Sequence, residues 1–268
     1  MKNFCGMVSS MRDRNLLFIV EGESDEPAFI RRLFQTCYRR QGYKTYTYKT
    51  NLHNLANHLE RDYPDFDDGD IDICLILRSH DSLPEHRKIL KEKYTDIFLV
   101  FDFEPQQDYP RFETIRKMLN VFNDSTDCGK LFINYPMMQS YKHFCSLPDN
   151  QFYKVTVSID DCKKYKQLVG RISGYTDITH YTYQIFVSIT AHHLKKAQYL
   201  LTGRFELPDI DEYLSWMQTQ IFDKQMQMKA QCGCVSVLNT CVFILIDYNP
   251  SSFFRQLKDR KSQFLIEL

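Results

Sequence analysis

The sequence predicts an α/β protein: a doubly wound, mostly parallel sheet followed by a mostly helical C-terminal half. Three observations carry this. Two continuously apolar runs, Leu16–Val20 and residues 97–101, end abruptly in acidic residues, as strands buried on both faces do when they leave a parallel sheet. Segments with helical apolar spacing alternate with such runs as far as residue 147. Beyond it, residues 181–201, 210–230 and 235–246 are long or apolar with helical spacing, so the expected division is residues 1–147 as a catalytic-type α/β domain and residues 148–268 as a helical appendage for oligomer or partner contact, with the boundary at Pro148-Asp149-Asn150.

In chain order, Gly22 is expected to turn the chain sharply out of the first strand. Ser24 or Asp25 then caps a helix that tolerates Pro27 in its first turn, carries Phe29, Ile30, Leu33, Phe34 and Cys37 on one face, and ends at Arg39-Arg40 before Gly42. Residues 43–50 alternate aromatic and polar side chains, as an edge strand does, and Leu52, Leu55 and Leu59 mark a short helix. Residues 62–72 are acidic, with Pro64 and Gly69, and read as a loop. Residues 71–77 suit a strand or a helix, the run being too short for periodicity to decide. A charged helix is expected over residues 84–94 and an amphipathic one over 111–122, with Ile115, Met118, Leu119 and Phe122 inward; Cys128-Gly129-Lys130 closes it and Leu131-Phe132-Ile133 is the next strand.

Composition narrows the function classes. The chain has 268 residues, 43% hydrophobic, with 20 phenylalanines and a formal net charge of zero. That supplies a large core but no overall field to draw the protein to nucleic acid or membrane, so a nucleic-acid partner needs a local basic patch or a second subunit. Nine scattered cysteines and no long apolar segment in residues 1–14 lead us to expect reduced thiols in the cytoplasm. Cys232-Gly-Cys234 lacks a second pair or histidines at zinc spacing. Residues 235–246 include Asn239 and Thr240 and are too short to cross a bilayer. No glycine-rich loop with Lys and Ser spacing is present, so ATP hydrolysis by this chain alone is not expected.

The acids at the two strand ends carry the chemistry. Glu21 follows the first strand, with Glu23, Asp25 and Glu26 behind it; Asp102 and Glu104 follow the second, and their alternation along a strand is expected to point both to one face. Clustered carboxylates offer hard oxygen ligands for Mg²⁺ or Mn²⁺, and Glu21 suits either a ligand or a proton acceptor. Glu23 and Glu26 read as first-turn helix acids. Ligands of such sheets sit outside the carboxyl ends of the strands.

Val20-Glu21-Gly22-x-x-Asp25 resembles the first motif of the Toprim fold, and Asp102-Phe103-Glu104 resembles its second, usually Asp-x-Asp. Residues 101–144, through Asn123-Asp124-Ser125-Thr126 and Gly129-Lys130-Leu131-Phe132-Ile133-Asn134-Tyr135-Pro136-Met137-Met138, look closest to the Toprim-like effectors of bacterial anti-phage defence, the nuclease subunit of the PARIS system and its relatives. A weaker echo is Val237-Leu238-Asn239-Thr240-Cys241 with Asp247-Tyr248-Asn249-Pro250. The resemblance implies a Toprim-like sheet and Mg²⁺- or Mn²⁺-dependent endonuclease cleavage of nucleic acid, RNA ahead of DNA and transfer RNA first. It also implies toxic-effector action in antiviral defence under an ATPase partner that senses infection. Glu21, Asp25, Asp102 and Glu104 would hold the cation. Glu21, Asp102, Glu104 and Lys142 would act in catalysis, with Lys142 or His143 stabilising a transition-state phosphate. Members of that group carry Glu-Ser in the segment that here reads Met138-Gln139-Ser140-Tyr141-Lys142-His143. Gln139 has no charge to offer, which keeps open a catalytically weak module serving an ATPase. A phospho-accepting or nucleotide-binding module is a further alternative.

Other constellations have plainer readings. Ser79-His80-Asp81 are sequence neighbours that cannot form a triad, and a loop is expected. His192-His193 beside Lys195-Lys196 suggests a solvated basic helix face or an RNA contact. Residues 43–49 mix tyrosine and lysine, as single-strand platforms and protected edge strands both do. Tyr181, Tyr183 and Phe186 suit core, a homo-oligomer or an ATPase interface.

Overall fold

A computed structural model of the chain describes residues 14–38, 42–67, 71–247 and 250–261. Arg39-Arg40, Gly69 and Tyr248-Asn249, invoked above, lie outside the described residues. Strand β1 (Leu16–Val20) leads into helix α1 (Asp25–Leu33), which continues as a π-turn (Phe34–Tyr38). Then come β2 (Tyr43–Thr47), α2 (Leu52–Asp62), α3 (Ile73–His80), α4 (Pro84–Ile89) and β3 (Asp96–Asp102). Helix α5 (Phe112–Val121) precedes an antiparallel pair, β4 (Asn123–Asp124) and β5 (Gly129–Asn134), and a 3₁₀ turn (Met138–Lys142).

The sheet order is β2-β1-β3-β5-β4, with β2, β1, β3 and β5 parallel and only β4 antiparallel. The mixed α/β class with a mostly parallel sheet is therefore as expected. From β1 the chain steps outward to β2, then returns past β1 to β3 and continues to β5, so its direction of travel reverses between β1 and β3. Right-handed crossovers then place α1 on one face and α5 on the other. Helix α2 packs on α5, while α1 packs on the 3₁₀ turn.

Every residue of β1 is fully buried. Its middle residue Phe18 stacks on Phe98 of β3 with ring centres 5.2 Å apart, meets Phe34 and Tyr43 edge-on, and Phe98 stacks in turn toward Phe132 of β5 at 6.2 Å. Within residues 71–77 the chain is helical from Ile73: Asp72 caps α3 by accepting from the Leu75 N–H, a local bond that an extended run lacks. Residues 43–47 form the expected edge strand; Tyr46 is buried and donates to Asp81, while Tyr43 is half-buried against Phe18 and Phe34.

The second half contains β6 (Thr156–Ser158), α6 (Ile159–Cys162), α7 (Tyr165–Ile172), α8 (Tyr183–Thr202), α9 (Ile210–Leu214), α10 (Gln218–Cys232), β7 (Cys234–Ser236), α11 (Ile244–Asp247) and α12 (Pro250–Lys261). Two expectations change here. Residues 235–246 are not one helix: β7 pairs antiparallel with β6, and a 3₁₀ turn (Cys241–Phe243) precedes α11. The predicted helix over 210–230 is broken at Ser215-Trp216-Met217. The His192-His193-Lys196 face is not solvated; all three are buried, and Lys196 donates to the Phe152 and Val155 carbonyls, its pKa lowered to about 7 by burial. Tyr181, Tyr183 and Phe186 are core residues, with Phe186 against Phe29. One continuous hydrophobic core joins both halves, and among the described residues no helix is long and apolar enough to cross a membrane.

The phenylalanine ladder is the mechanical centre of the sheet. Phe98→Ala is expected to destabilise the fold by about 3–5 kcal/mol, the usual cost of emptying a large aromatic site. Urea unfolding should show a lower midpoint at unchanged slope; a midpoint within error of the parent would contradict this packing.

Candidate functional site

The reversal between β1 and β3 is where an open parallel sheet leaves a crevice at its carboxyl edge. Glu21 and Asp102 stand at that edge, one residue past β1 and at the last residue of β3. They meet directly: Glu21 Oε2 accepts the Asp102 backbone N–H at 3.1 Å. Burial pushes the Glu21 carboxyl up to about 8, with Glu104 and Glu26 adding charge repulsion and the Asp102 N–H opposing both. Asp102 is displaced well above the carboxylate range by burial, then by Glu21 and Glu26, and its Oδ1 is buried without a hydrogen-bond partner.

Glu26 is the correction the sequence most needed. It is a buried side chain, not a solvated first-turn acid, and burial raises its pKa, with the nearby Asp25 charge adding to the shift. Glu23, by contrast, is exposed and pairs with Lys49 at 2.8 Å. Gly22 turns without a positive φ. Its role is room: a Cβ there would lie 2.8 Å from Glu26 Oε2.

Glu104 does not share a strand face with Asp102, because β3 ends at Asp102. Glu104 instead adopts a left-handed φ of 45°, uncommon for a residue with a Cβ. Between the two acids, Phe103 is locked into Tyr135, Phe112 and Phe222. Asn51 serves twice: its Oδ1 caps α2 at the Asn54 N–H, and its Nδ2 donates to Glu104 Oε2 at 2.8 Å. Burial raises the Glu104 pKa and that bond lowers it.

Asp25 has partners of its own. Its Oδ2 accepts from Gln139 Nε2 at 2.7 Å and from Lys166 Nζ at 2.6 Å, so its charge is already compensated. Gln139 is buried, and its Oε1 has no partner. Lys142 lies on this same side; burial lowers its pKa and Asp25 partly restores it. His143 is set aside as a phosphate group: it bonds the Tyr165 hydroxyl at 2.7 Å, and burial pushes it down to about 4, leaving it neutral. Ser79-His80-Asp81 closes α3 rather than forming a loop, and Asp81 accepts from Tyr46 and pairs with His86.

Residues with no expected site role brace the site from the second half. Asn239 donates to the Met138 carbonyl and Ser140 Oγ, Thr240 donates to the Ile133 carbonyl, and Asn134, paired in register with Asp102, accepts from the Cys241 N–H. Cys241 lies near enough to Glu26 and Asp102 that both add to the burial that raises its thiol pKa. Sequence offered only the weak Asn239-Thr240-Cys241 echo. Among the described residues, no three of the strand-end acids bring ligand atoms within 4.8 Å of one another. All-oxygen donors with an orphaned buried Oδ1 nonetheless fit a hard divalent cation. No family model, no curated protein and no solved structure matches this chain.

The raised carboxyls set a pH signature. A carboxyl whose folded pKa lies above its unfolded value stays protonated in the folded state while the unfolded chain loses its proton. Its stabilising contribution is therefore complete below the unfolded value near 4.5 and is lost as pH rises through about 8. Without added cation, stability should fall across that window by up to about 1.4 kcal/mol per pH unit for each proton involved. Glu21→Gln should flatten the fall in urea unfolding series at stepped pH. An equal slope in both proteins would remove Glu21 from the buried cluster.

Proposed function

We propose that this chain is a Toprim-type, Mg²⁺- or Mn²⁺-dependent phosphodiesterase, an endonuclease on RNA with transfer RNA as first candidate, acting in the cytoplasm as an effector of bacterial anti-phage defence beside an ATPase partner. The observation that carries the chemistry is the meeting of two half-buried acids at the strand switch point, Glu21 accepting the Asp102 backbone N–H, with Asp102 Oδ1 buried and without a hydrogen-bond partner and, among the described residues, no Lys or Arg ion pair on either acid. The nucleic-acid substrate, defence role and partner rest on the sequence resemblance.

Glu21, Asp102 and Glu104 would hold the ion. When bound, it neutralises phosphate charge and makes water a better nucleophile. Burial alone keeps Glu21 mostly protonated at neutral pH; beside a bound cation it would ionise, and would then serve either as a ligand or as the acceptor of the attacking water's proton. The water oxygen bonds phosphorus, the P–O ester bond breaks, and the leaving oxygen takes up a proton. Asn51 fixes Glu104, while Lys142 and Lys166, on the Asp25 side, supply positive charge for a phosphate.

One observation favours the weak-module reading. Asp25 is occupied by Gln139 and Lys166, which leaves one carboxylate fewer for a cation than the family pattern supplies. Gln139→Glu places a second charge opposite Asp25. On the weak-module reading it should raise cleavage, and on the effector reading it should leave it unchanged or lower it.

The decisive assay incubates the full chain with Mg²⁺ or Mn²⁺ and transfer RNA, single-stranded DNA or duplex DNA. Glu21→Ala and Asp102→Asn should each lower the cleavage rate by about 10²-fold or more, as loss of a group that stabilises transition-state charge does. Cutting that survives Glu21→Ala would sink the proposed site. No cutting even with the ATPase present would favour the regulatory module.

A further inference from the structure

A second constellation lies at the far end of α2, away from the residues that carry the proposed chemistry. His58 and Asp62 are four residues apart on α2 and so share one helix face. His80 is the last residue of α3. The three bring their ligand atoms within 4.8 Å of one another, the only such group of three or more His, Cys, Asp or Glu side chains among the described residues. Both imidazoles aim Nε2 at one atom: His58 Nε2 is 3.3 Å and His80 Nε2 is 3.6 Å from Asp62 Oδ2.

Those separations have a chemical meaning. Tetrahedral Zn²⁺ with ligands at 2.0–2.1 Å sets its ligand atoms roughly 3.3 Å apart. Two of the three edges already match that figure, so an ion between the groups requires little movement. His58 Nε2 supplies a second, independent pointer. Its side chain is 9% exposed, and the atom is buried with no hydrogen-bond partner, a costly arrangement unless something accepts its lone pair. The two rings also stand edge-on with centres only 3.6 Å apart. At that separation two imidazolium charges would repel, so both rings are suited to be neutral, lone-pair-bearing ligands.

We propose that His58, Asp62 and His80 form a binding site for a borderline divalent transition metal, Zn²⁺ foremost. Two imidazoles and one carboxylate suit Zn²⁺, Co²⁺ or Ni²⁺ and do not suit Mg²⁺, which takes oxygen ligands. Arg61 grips both Asp62 oxygens at 2.7 Å through Nε and Nη2. Its hydrogen bonding and charge keep the carboxylate ionised, and each oxygen retains a further lone pair. The guanidinium charge opposes a divalent ion, so the site binds more weakly than a four-ligand structural zinc centre. Three protein ligands leave the fourth position open to water or to a partner's side chain, reached from solvent along the exposed edge of His80, which is 42% exposed. The ion cross-links the C-terminal ends of α2 and α3. The site is independent of the nuclease reading and stands or falls without it.

The test uses the full, metal-stripped chain without a polyhistidine tag, titrated with Co²⁺ and then Zn²⁺. The expected result is one equivalent of Co²⁺ with a visible tetrahedral d–d band that Zn²⁺ abolishes, and no near-ultraviolet thiolate charge-transfer band. Because His80 is exposed, His80→Ala folds normally; it should weaken binding by at least about 100-fold, the upper end of what loss of a group merely supporting a ligand costs. Zn²⁺ should raise the melting temperature of the parent chain and of Cys234→Ser but not of His80→Ala. No cobalt band, an unchanged affinity in His80→Ala, or a thiolate band reporting Cys232 and Cys234 as the ligands would each overturn the proposal.

Discussion

Carboxylates are forced together at the one place where an open parallel sheet cannot close over itself. The strand order β2-β1-β3-β5 reverses the path of the chain between β1 and β3, so the crossovers leave on opposite faces and a crevice remains at their carboxyl ends. Glu21 and Asp102 stand at those ends of the two central strands, and Glu26 on α1 and Glu104 after β3 are near enough for their charges to act on both. Gathering carboxyls away from water disfavours their charged forms, and burial, with mutual repulsion among Glu21, Asp102 and Glu104, pushes these carboxyls and that of Glu26 upward. Residues that are strongly perturbed by burial and by one another, and that lie in a fold-determined crevice, mark functional ground.

The rest of the molecule holds that arrangement in place. The stacked phenylalanines Phe18, Phe98 and Phe132 fix β1, β3 and β5 side by side. Phe103 pins the segment between Asp102 and Glu104 into an aromatic cluster reaching α5 and α10. The second half does more than append: Asn239, Thr240 and the Cys241 N–H satisfy buried groups at the end of β5 and in the turn behind it, and Leu238 pairs across to Tyr135. Buried polar networks of this kind specify one arrangement because every alternative leaves groups unsatisfied.

Much of the sheet was legible because its strands are short apolar runs ending in acids, a pattern that survives without context. Glu21 and Asp102 were placed at the strand ends that way. Glu26 was not, since a first-turn acid looks the same whether the helix face turns to water or into the crevice, and only the packing of α1 decides. The alternation argument for Glu104 failed because the strand stops at Asp102, an end set by Phe103 entering the aromatic cluster. Residues 235–246 read as helix because β7 is three residues long and takes its partner, β6, from about eighty positions earlier, a pairing no local window contains. The His192-His193-Lys196 face looked solvated because charge normally faces water; here Lys196 is held inside by two backbone carbonyls.

Cation binding to the strand-end acids themselves is the most direct test of this account. Mn²⁺ binding at pH 8, followed by electron paramagnetic resonance, should show a site on the parent chain that Asp102→Asn loses and that His80→Ala keeps. Mn²⁺ bound equally well by Asp102→Asn, or not bound by the parent chain at all, would contradict it.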